Sequence, residues 1–314
     1  MTEALVKDSY ERAGSPPVTW TVNEDPDWRE WTRYAQGLIT SNDKLAPDIF
    51  PRHDIATQCP ALRWIHIIGA GIEPLLPLDW LPPGVVLTNN SGVHWDKARE
   101  SGMMALLALN SALPKLVSQQ HRAQWNPIFT RGIAGRSVLV IGLGDMGGAV
   151  ADGAKRLGMH VTGVRLNPAP HPHADDVIGL ADLDAALGHA DFVVIATPLT
   201  PATHHILDRR RLALMKPGAG LFNIGRGGCL DHDALAGAIA SGHISGAVLD
   251  VFDPEPLPAA SPLWAMDNVI ITPHVSADDA ELYLPLTFDL VFANAARLQR
   301  GEPLLNVVDP VRGY

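Results

Sequence analysis

Apolar and polar positions alternate along the chain in short blocks whose period switches between two and about 3.6 residues. Short runs of β-branched and aliphatic residues predict strands at Val18–Val22, Leu62–Ile68, Val85–Thr88, Ser137–Ile141 and His160–Val164. The same reading gives strands at Phe192–Thr197, Gly220–Ile224, Ser245–Asp250 and Val269–Thr272. Helical spacing fills the intervals: Asp27–Gln36, about Asp96 to Leu113, Met146–Leu157, Leu183–Leu187, Asp231–Ala240 and Tyr283–Leu298. Gly242 is placed to close one of these helices in a left-handed cap. Strands alternating with helices from end to end predict an α/β chain built on parallel sheets.

Length and charge narrow the picture. A chain of 314 residues exceeds what one hydrophobic core usually organises, so two domains are expected. The net charge of -10 argues against a nucleic-acid or anionic-membrane partner, either of which needs a local excess of Lys and Arg. The most apolar helix is interrupted around Asn110, Ser111, Pro114 and Lys115, so no membrane span is expected. Two cysteines, Cys59 and Cys229, without C-x-x-C or zinc spacing, predict neither a disulfide scaffold nor a zinc site. The first residues, Met1 to Asp8, lack a basic region followed by an apolar core; a cytoplasmic location is expected.

Gly142-Leu143-Gly144-Asp145-Met146-Gly147 matches G-x-G-x-x-G directly after one strand and at the start of a helix. In that context Gly142 permits the tight turn, Gly144 lets backbone approach a diphosphate, and Gly147 allows close helix–strand packing. The helix N-terminus then offers free N–H groups to the anion. At the end of the next strand, where an NAD site usually carries an acid, stands Arg165. A guanidinium can grip a 2′-phosphate, which favours NADP(H) over NAD(H); stacking on adenine, or lying in solvent, is the alternative role for the side chain. His171, His173, Asp175 and Asp176 read as a solvated loop rather than a metal cluster.

Six segments, in order, are IIGAG (67–71), GLGDMG (142–147), ATPLTPATHHIL (196–207), NIGRGGCLD (223–231), AVLDVFDPEPL (247–257) and NVIITPHVS (268–276). On these the chain resembles the D-isomer-specific 2-hydroxyacid dehydrogenase family, glyoxylate/hydroxypyruvate reductases included, from roughly Leu62 to Asn306. The resemblance implies a Rossmann dinucleotide-binding domain at 98–283. Residues 1–97 and 284–314 would form a smaller, flavodoxin-like α/β substrate domain, with a cleft that closes over the ligands. It implies reduction of a 2-keto acid, glyoxylate, hydroxypyruvate or a relative, to a D-2-hydroxy acid by a homodimer that uses no metal.

The catalytic trio implied is Arg226, Glu255 and His274, and the substrate carboxylate would rest on N–H groups at Ala70 and Gly71. Cofactor contacts are implied at Gly142, Gly144, Asp145, Met146, Gly147, Arg165, Thr197, Pro198, Thr203, Ile224 and Asp250. The chemistry wants these residue types. An imidazole delivers a proton to the developing alkoxide, a carboxylate on its other nitrogen fixes the tautomer, and a guanidinium grips a carboxylate with two donors. The pattern ends close to Tyr314, so no appended regulatory domain is expected. Departures include Arg165 and Asn110-Ser111-Ala112, where many members carry arginine. Two other readings share the scaffold: a formate or phosphite dehydrogenase, and a dinucleotide-sensing corepressor that keeps the trio.

Overall fold

In the computed structural model, which describes residues 3–21, 28–45, 52–310 and 312–313, two separate parallel sheets organise the chain. The strands are β1 Gly37–Thr40, β2 Trp64–Ile67, β3 Val86–Thr88, β4 Ser137–Ile141, β5 His160–Val164, β6 Asp176–Ile178, β7 Phe192–Ile195, β8 Ala219–Asn223, β9 Ile244–Leu249 and β10 Val269–Ile271. The helices are α1 Glu3–Arg12, α2 Trp28–Trp31, α3 Ile55–Gln58, α4 Trp95–Asn110, α5 Leu113–His121, α6 Asp145–Arg156, α7 Leu183–Leu187, α8 Arg209–Leu214, α9 His232–Ala240 and α10 Tyr283–Arg300. The chain divides into two units, 1–93 with 279–314, and 94–278. Both are α/β, as expected from the sequence.

The smaller unit holds the sheet β1-β2-β3. Side chains of its central strand alternate between faces. Ile65 and Ile67 join a buried cluster with Leu45, Ile55, Ile72 and Leu75. Trp64 packs on the other side with Val6 of α1 and Phe288, Val291 and Phe292 of α10. The Trp64 Nε1–H donates to Thr88 Oγ1 (2.7 Å), and His66 Nδ1 lies 2.9 Å from the same oxygen. His66 is fully buried, and that burial pushes its imidazole from 6.5 down to about 4, opposed in part by the Asn90 side chain. Gly37, paired with Trp64, leaves room for the indole, since a Cβ there would come within 2.8 Å of it.

In the larger unit all seven strands are parallel, in the order β10-β9-β8-β7-β4-β5-β6. Helices cover both faces, which is why these strands read as nearly continuous aliphatic runs. One face packs Ala105, Leu106 and Leu109 of α4 and Ala149 and Val150 of α6 on Val138 and Val140. The other packs Leu183 and Leu187 of α7, Leu212 of α8 and Leu235 of α9 on Leu139, Val193 and Leu221. Small residues let α4 and α6 approach, for a Cβ on Gly102 would meet Val150 at 2.9 Å. Asp208 and Asp231 cap α8 and α9 by accepting from the N–H groups of Arg211 and Ala234, both at 2.8 Å.

Several sequence expectations need correction. Residues 18–21 form no strand; Val18 and Trp20 instead pack, half-buried, on the α1/α10 cluster. Val22 and Asp27, at the edges of two expected elements, lie outside the described residues. The helix expected to run to Gln36 stops at Trp31, because the chain turns into β1 at Gly37. The helix expected from Asp96 to Leu113 is two: Ala112 adopts a left-handed φ of 53° and Pro114 opens α5. The hydrophobic pattern does not reveal α1, which buries only Val6 and Ser9, nor the brief strands β1 and β6.

Candidate active site

In a parallel sheet every carboxyl end lies on one edge. Here the order sets the ends of β5, β4, β7, β8, β9 and β10 in turn along that edge. The chain runs outward from β4 through β5 to β6, then returns to build β7 to β10 on the other side. The order therefore reverses between β4 and β7, where ligands of such sheets bind.

The Gly-rich turn joins β4 to α6 at this point. Gly142 has φ +94°, and a Cβ there would stand 2.7 Å from Ala196 O. At Gly147 a Cβ would stand 1.8 Å from Gly142 O, so the helix could not close on the strand with any side chain present. Gly144 is the N-cap of α6 and faces open space, with no heavy atom within 4 Å of a Cβ built on it. That combination, tight behind and open in front of a helix N-terminus, fits a dinucleotide diphosphate. Asp145 is exposed and Met146 half-buried in the first helical turn.

Arg165 follows β5, half-buried, its N–H donating to Ile178 O (3.0 Å); no ion pair holds its side chain among the described residues. Burial, then the neighbouring His173 and Arg165, lower the His171 imidazole below its ordinary value. His171 and His173 pack as rings, with Trp95 against His173, while Asp175 accepts from Val161 N (2.8 Å) and Lys155 Nζ (2.5 Å). Among the described residues, no group of three His, Cys, Asp or Glu is arranged to hold a metal ion.

After β7, Thr203 Oγ1 donates to Pro198 O (2.7 Å), and Thr197 Oγ1 reaches Cys229 Sγ (3.5 Å) in the loop after β8. Ile224 is buried, its N–H donating to Ile195 O (3.0 Å). Asn223, fully buried at the end of β8, shapes that loop: its Nδ2 donates to Arg226 O (3.1 Å), and its Oδ1 accepts from Gly225 N (3.1 Å). The half-buried Arg226 donates through Nη1 to Gly225 O (2.7 Å). Gly227 presses on the loop after β9, where a Cβ would come within 1.9 Å of the Phe252 carbonyl carbon. The R-G-G sequence thus brings the Arg226 loop against the loop that carries Glu255.

Glu255 Oε1 accepts from Phe252 N (2.8 Å), and its Oε2 lies 2.8 Å from His274 Nδ1. His274, after β10, has a left-handed φ of 53° and its side chain is about half exposed. Asp250, 2% exposed, braces this turn: its Oδ1 accepts from Thr272 Oγ1 (2.6 Å) and Val275 N (3.0 Å), and both oxygens from Ser276 N (3.2 Å). Arg226, Glu255 and His274 all follow neighbouring strands of one sheet. Ala70 and Gly71 belong to the smaller unit, on the half-buried turn after β2. Sequence reasoning overlooked Asn223, for which a buried polar residue ending an aliphatic strand was the available signal; the end-of-strand position of Asp250 already pointed to an orienting or capping role.

Residues 103–276 match the model of the family described as D-isomer specific 2-hydroxyacid dehydrogenase, NAD binding domain. The glyoxylate/hydroxypyruvate reductase B of Pectobacterium carotovorum is 32% identical over 283 residues, 88% of this chain and 86% of that protein. The D-3-phosphoglycerate dehydrogenase of Methanocaldococcus jannaschii is 32% identical over 261 residues; the match covers 82% of this chain and 49% of that longer protein. A D-isomer specific 2-hydroxyacid dehydrogenase from Xanthobacter autotrophicus, solved with NADPH and MES, superposes with a TM-score of 0.86 at 30% identity, covering 100% of this chain and 96% of that one. An NADPH-dependent glyoxylate/hydroxypyruvate reductase from Sinorhizobium meliloti, solved with NADP and sulfate, gives 0.82 at 28% identity, covering 98% and 96%.

Proposed function

The chain belongs to the D-isomer-specific 2-hydroxyacid dehydrogenase family, and from that premise we propose a reductase of small 2-keto acids, glyoxylate or hydroxypyruvate, that uses NADP(H). It is an oxidoreductase that transfers hydride between NAD(P)H and a 2-keto or 2-hydroxy acid. The observation that carries the finer reading is the 2.8 Å contact of His274 Nδ1 with Glu255, on the same sheet edge as the Arg226 loop and the Gly-rich turn.

Gly142, Gly144 and Gly147 would hold the cofactor diphosphate, with Thr197, Pro198, Thr203 and Ile224 towards its nicotinamide half. When bound, the nicotinamide supplies or accepts the hydride. Arg226 binds the substrate carboxylate and polarises the keto oxygen through its paired donors. Glu255, itself anchored on Phe252 N, holds Nδ1 of His274 so that Nε2 carries the proton delivered to the developing alkoxide. Asp250 contributes by fixing the turn that carries the imidazole. Arg165, half-buried and without an ion pair among the described residues, supports a 2′-phosphate and hence NADP(H).

The assembly proposed is a homodimer. Trp125 and Phe129, between α5 and β4, are 96% and 93% exposed, large aromatic side chains of the type enriched at interfaces. The two cysteines, Cys59 and Cys229, are both buried, which suits a reducing cytoplasm.

The test is turnover of the purified protein with NADPH and NADH across glyoxylate, hydroxypyruvate and larger 2-keto acids. Small substrates with NADPH are expected to give the highest kcat/KM; no turnover on any 2-keto acid would refute the reading. His274→Asn, which tolerates the left-handed backbone, is expected to lower kcat by roughly 10²–10⁴-fold while NADPH binding persists.

A further inference from the structure

The turn after β2 is built unusually. Ile68 O accepts from Asn90 Nδ2 (2.8 Å) and from the Tyr283 hydroxyl. Gly69 O accepts from Asn90 N (3.1 Å), Ala70 O from Asn89 Nδ2 (2.7 Å), and Gly71 O from Asn42 Nδ2 (2.9 Å). Four consecutive carbonyls are thus held by donors drawn from three other segments of the unit. The N–H groups of Gly69, Ala70 and Gly71 meet no protein acceptor among the described residues.

These two facts are one. In a trans peptide the C=O and the following N–H point in opposite directions, and the peptides of this turn are trans. Fixing the carbonyls of Ile68, Gly69 and Ala70 therefore aims the N–H groups of Gly69, Ala70 and Gly71 the other way. Successive N–H groups so aimed form a concavity that takes an anion. The donors are themselves constrained. Asn90 is fully buried, with its Nδ2 also donating to Thr287 Oγ1 (2.7 Å), which in turn donates to Tyr283 O (2.7 Å). Asn89, 6% exposed, spends its Oδ1 on Ser91 N (3.2 Å).

We propose that Asn89, Asn90 and Tyr283 are positioning residues that orient the Gly69–Gly71 N–H groups towards a substrate carboxylate. The inference rests on the 2-keto acid reading above and adds what selects the carboxylate. Removing one clamp releases one carbonyl, lets its peptide rotate, and costs the anion one aimed donor. A hydrogen bond to a charged group is lost, which amounts to about tenfold or more in KM.

The experiment compares glyoxylate with methylglyoxal, a carbonyl compound without a carboxylate, in wild type and Asn89→Ala, with Asn42→Ala, which frees Gly71 O and so the Ile72 N–H, as the comparison. KM for glyoxylate is expected to rise about tenfold in Asn89→Ala and not in Asn42→Ala, with kcat and NADPH affinity near wild type and methylglyoxal kcat/KM unchanged. Asn89→Asp, which sets a carboxylate against Ala70 O, is expected to be worse than Asn89→Ala. Asn294→Ala is the control for stability alone, since that side chain clamps Leu305 and does not touch the turn. A parallel loss on both substrates, or a glyoxylate KM that does not move in Asn89→Ala, overturns the proposal. In the wild-type protein, oxamate is expected to shift the amide resonances of Gly69, Ala70 and Gly71, and less so in Asn89→Ala. That readout needs no turnover: shifts without any 2-keto acid reduction would sink the reductase reading and keep the clamp, while turnover without shifts would do the reverse.

Discussion

Acid is expected to unfold the smaller unit through a single histidine. His66 is fully buried on β2, and burial lowers its imidazole from 6.5 to about 4. Its Nδ1 is taken up by Thr88 Oγ1, and its buried Nε2 makes no hydrogen bond of good geometry. In the unfolded chain the ring protonates near its ordinary value; in the folded chain it stays neutral until about pH 4. The unfolded state therefore binds more protons in between, so stability is complete above about pH 6.5 and falls as the pH drops towards about 4. At about 1.4 kcal/mol per pH unit the full loss is about 3 kcal/mol, a large fraction of a domain's net stability. Carboxylates that are held low in the fold, such as Asp184 at about 2, lose their stabilisation below this window and do not mask it. The assay is amide hydrogen exchange at Ile65 and Ile67 between about pH 7 and pH 4.5, in wild type and in His66→Phe, which keeps the ring volume without the titration. Wild type is expected to lose about 2–3 kcal/mol of protection free energy that the variant retains. Equal losses in the two proteins would refute the assignment.

Two further outcomes are expected. Arg165→Asp should raise KM for NADPH about 10–100-fold and leave NADH far less affected, as measured by initial rates with each coenzyme; equal effects would remove Arg165 from the 2′-phosphate site. If the proposed dimer forms through these rings, Trp125→Ser with Phe129→Ser should leave a monomer in sedimentation velocity without loss of helical signal, because both rings stand in solvent and support no core.

The candidate site of the larger unit was legible because its motifs are local in sequence. The Gly-rich turn needs three glycines at fixed spacing after an aliphatic strand, and the structure gives each a steric reason. The residues Arg226, Glu255 and His274 stand out because each ends or follows a strand within a short, ordered segment. The clamp on the 68–71 turn was not legible: Asn42, Asn89 and Asn90 are ordinary polar residues until the fold sets them against four successive carbonyls. Short elements escaped for a related reason. β6 is an edge strand of three residues, paired only with β5, too brief for any period to register. Val18 and Trp20 carry strand-forming side chains but find their burial against helices instead of in a sheet.

The smaller unit is sewn from two separate stretches, 1–93 and 279–314, around an intervening unit that is continuous. During synthesis its first half must leave the ribosome without α10, whose Phe288, Val291 and Phe292 cover Trp64 and Val6. At about 5–20 residues per second, the wait while 94–278 is made lasts roughly 10–40 s. The larger unit can fold in that time, but β2 stays open on one face, Asn90 lacks Thr287, and Ile68 O lacks the Tyr283 hydroxyl. The turn at 68–71 is thus among the last parts of the molecule to be finished, and the nascent chain is exposed to chaperones and proteases through an apolar surface that the mature protein never shows.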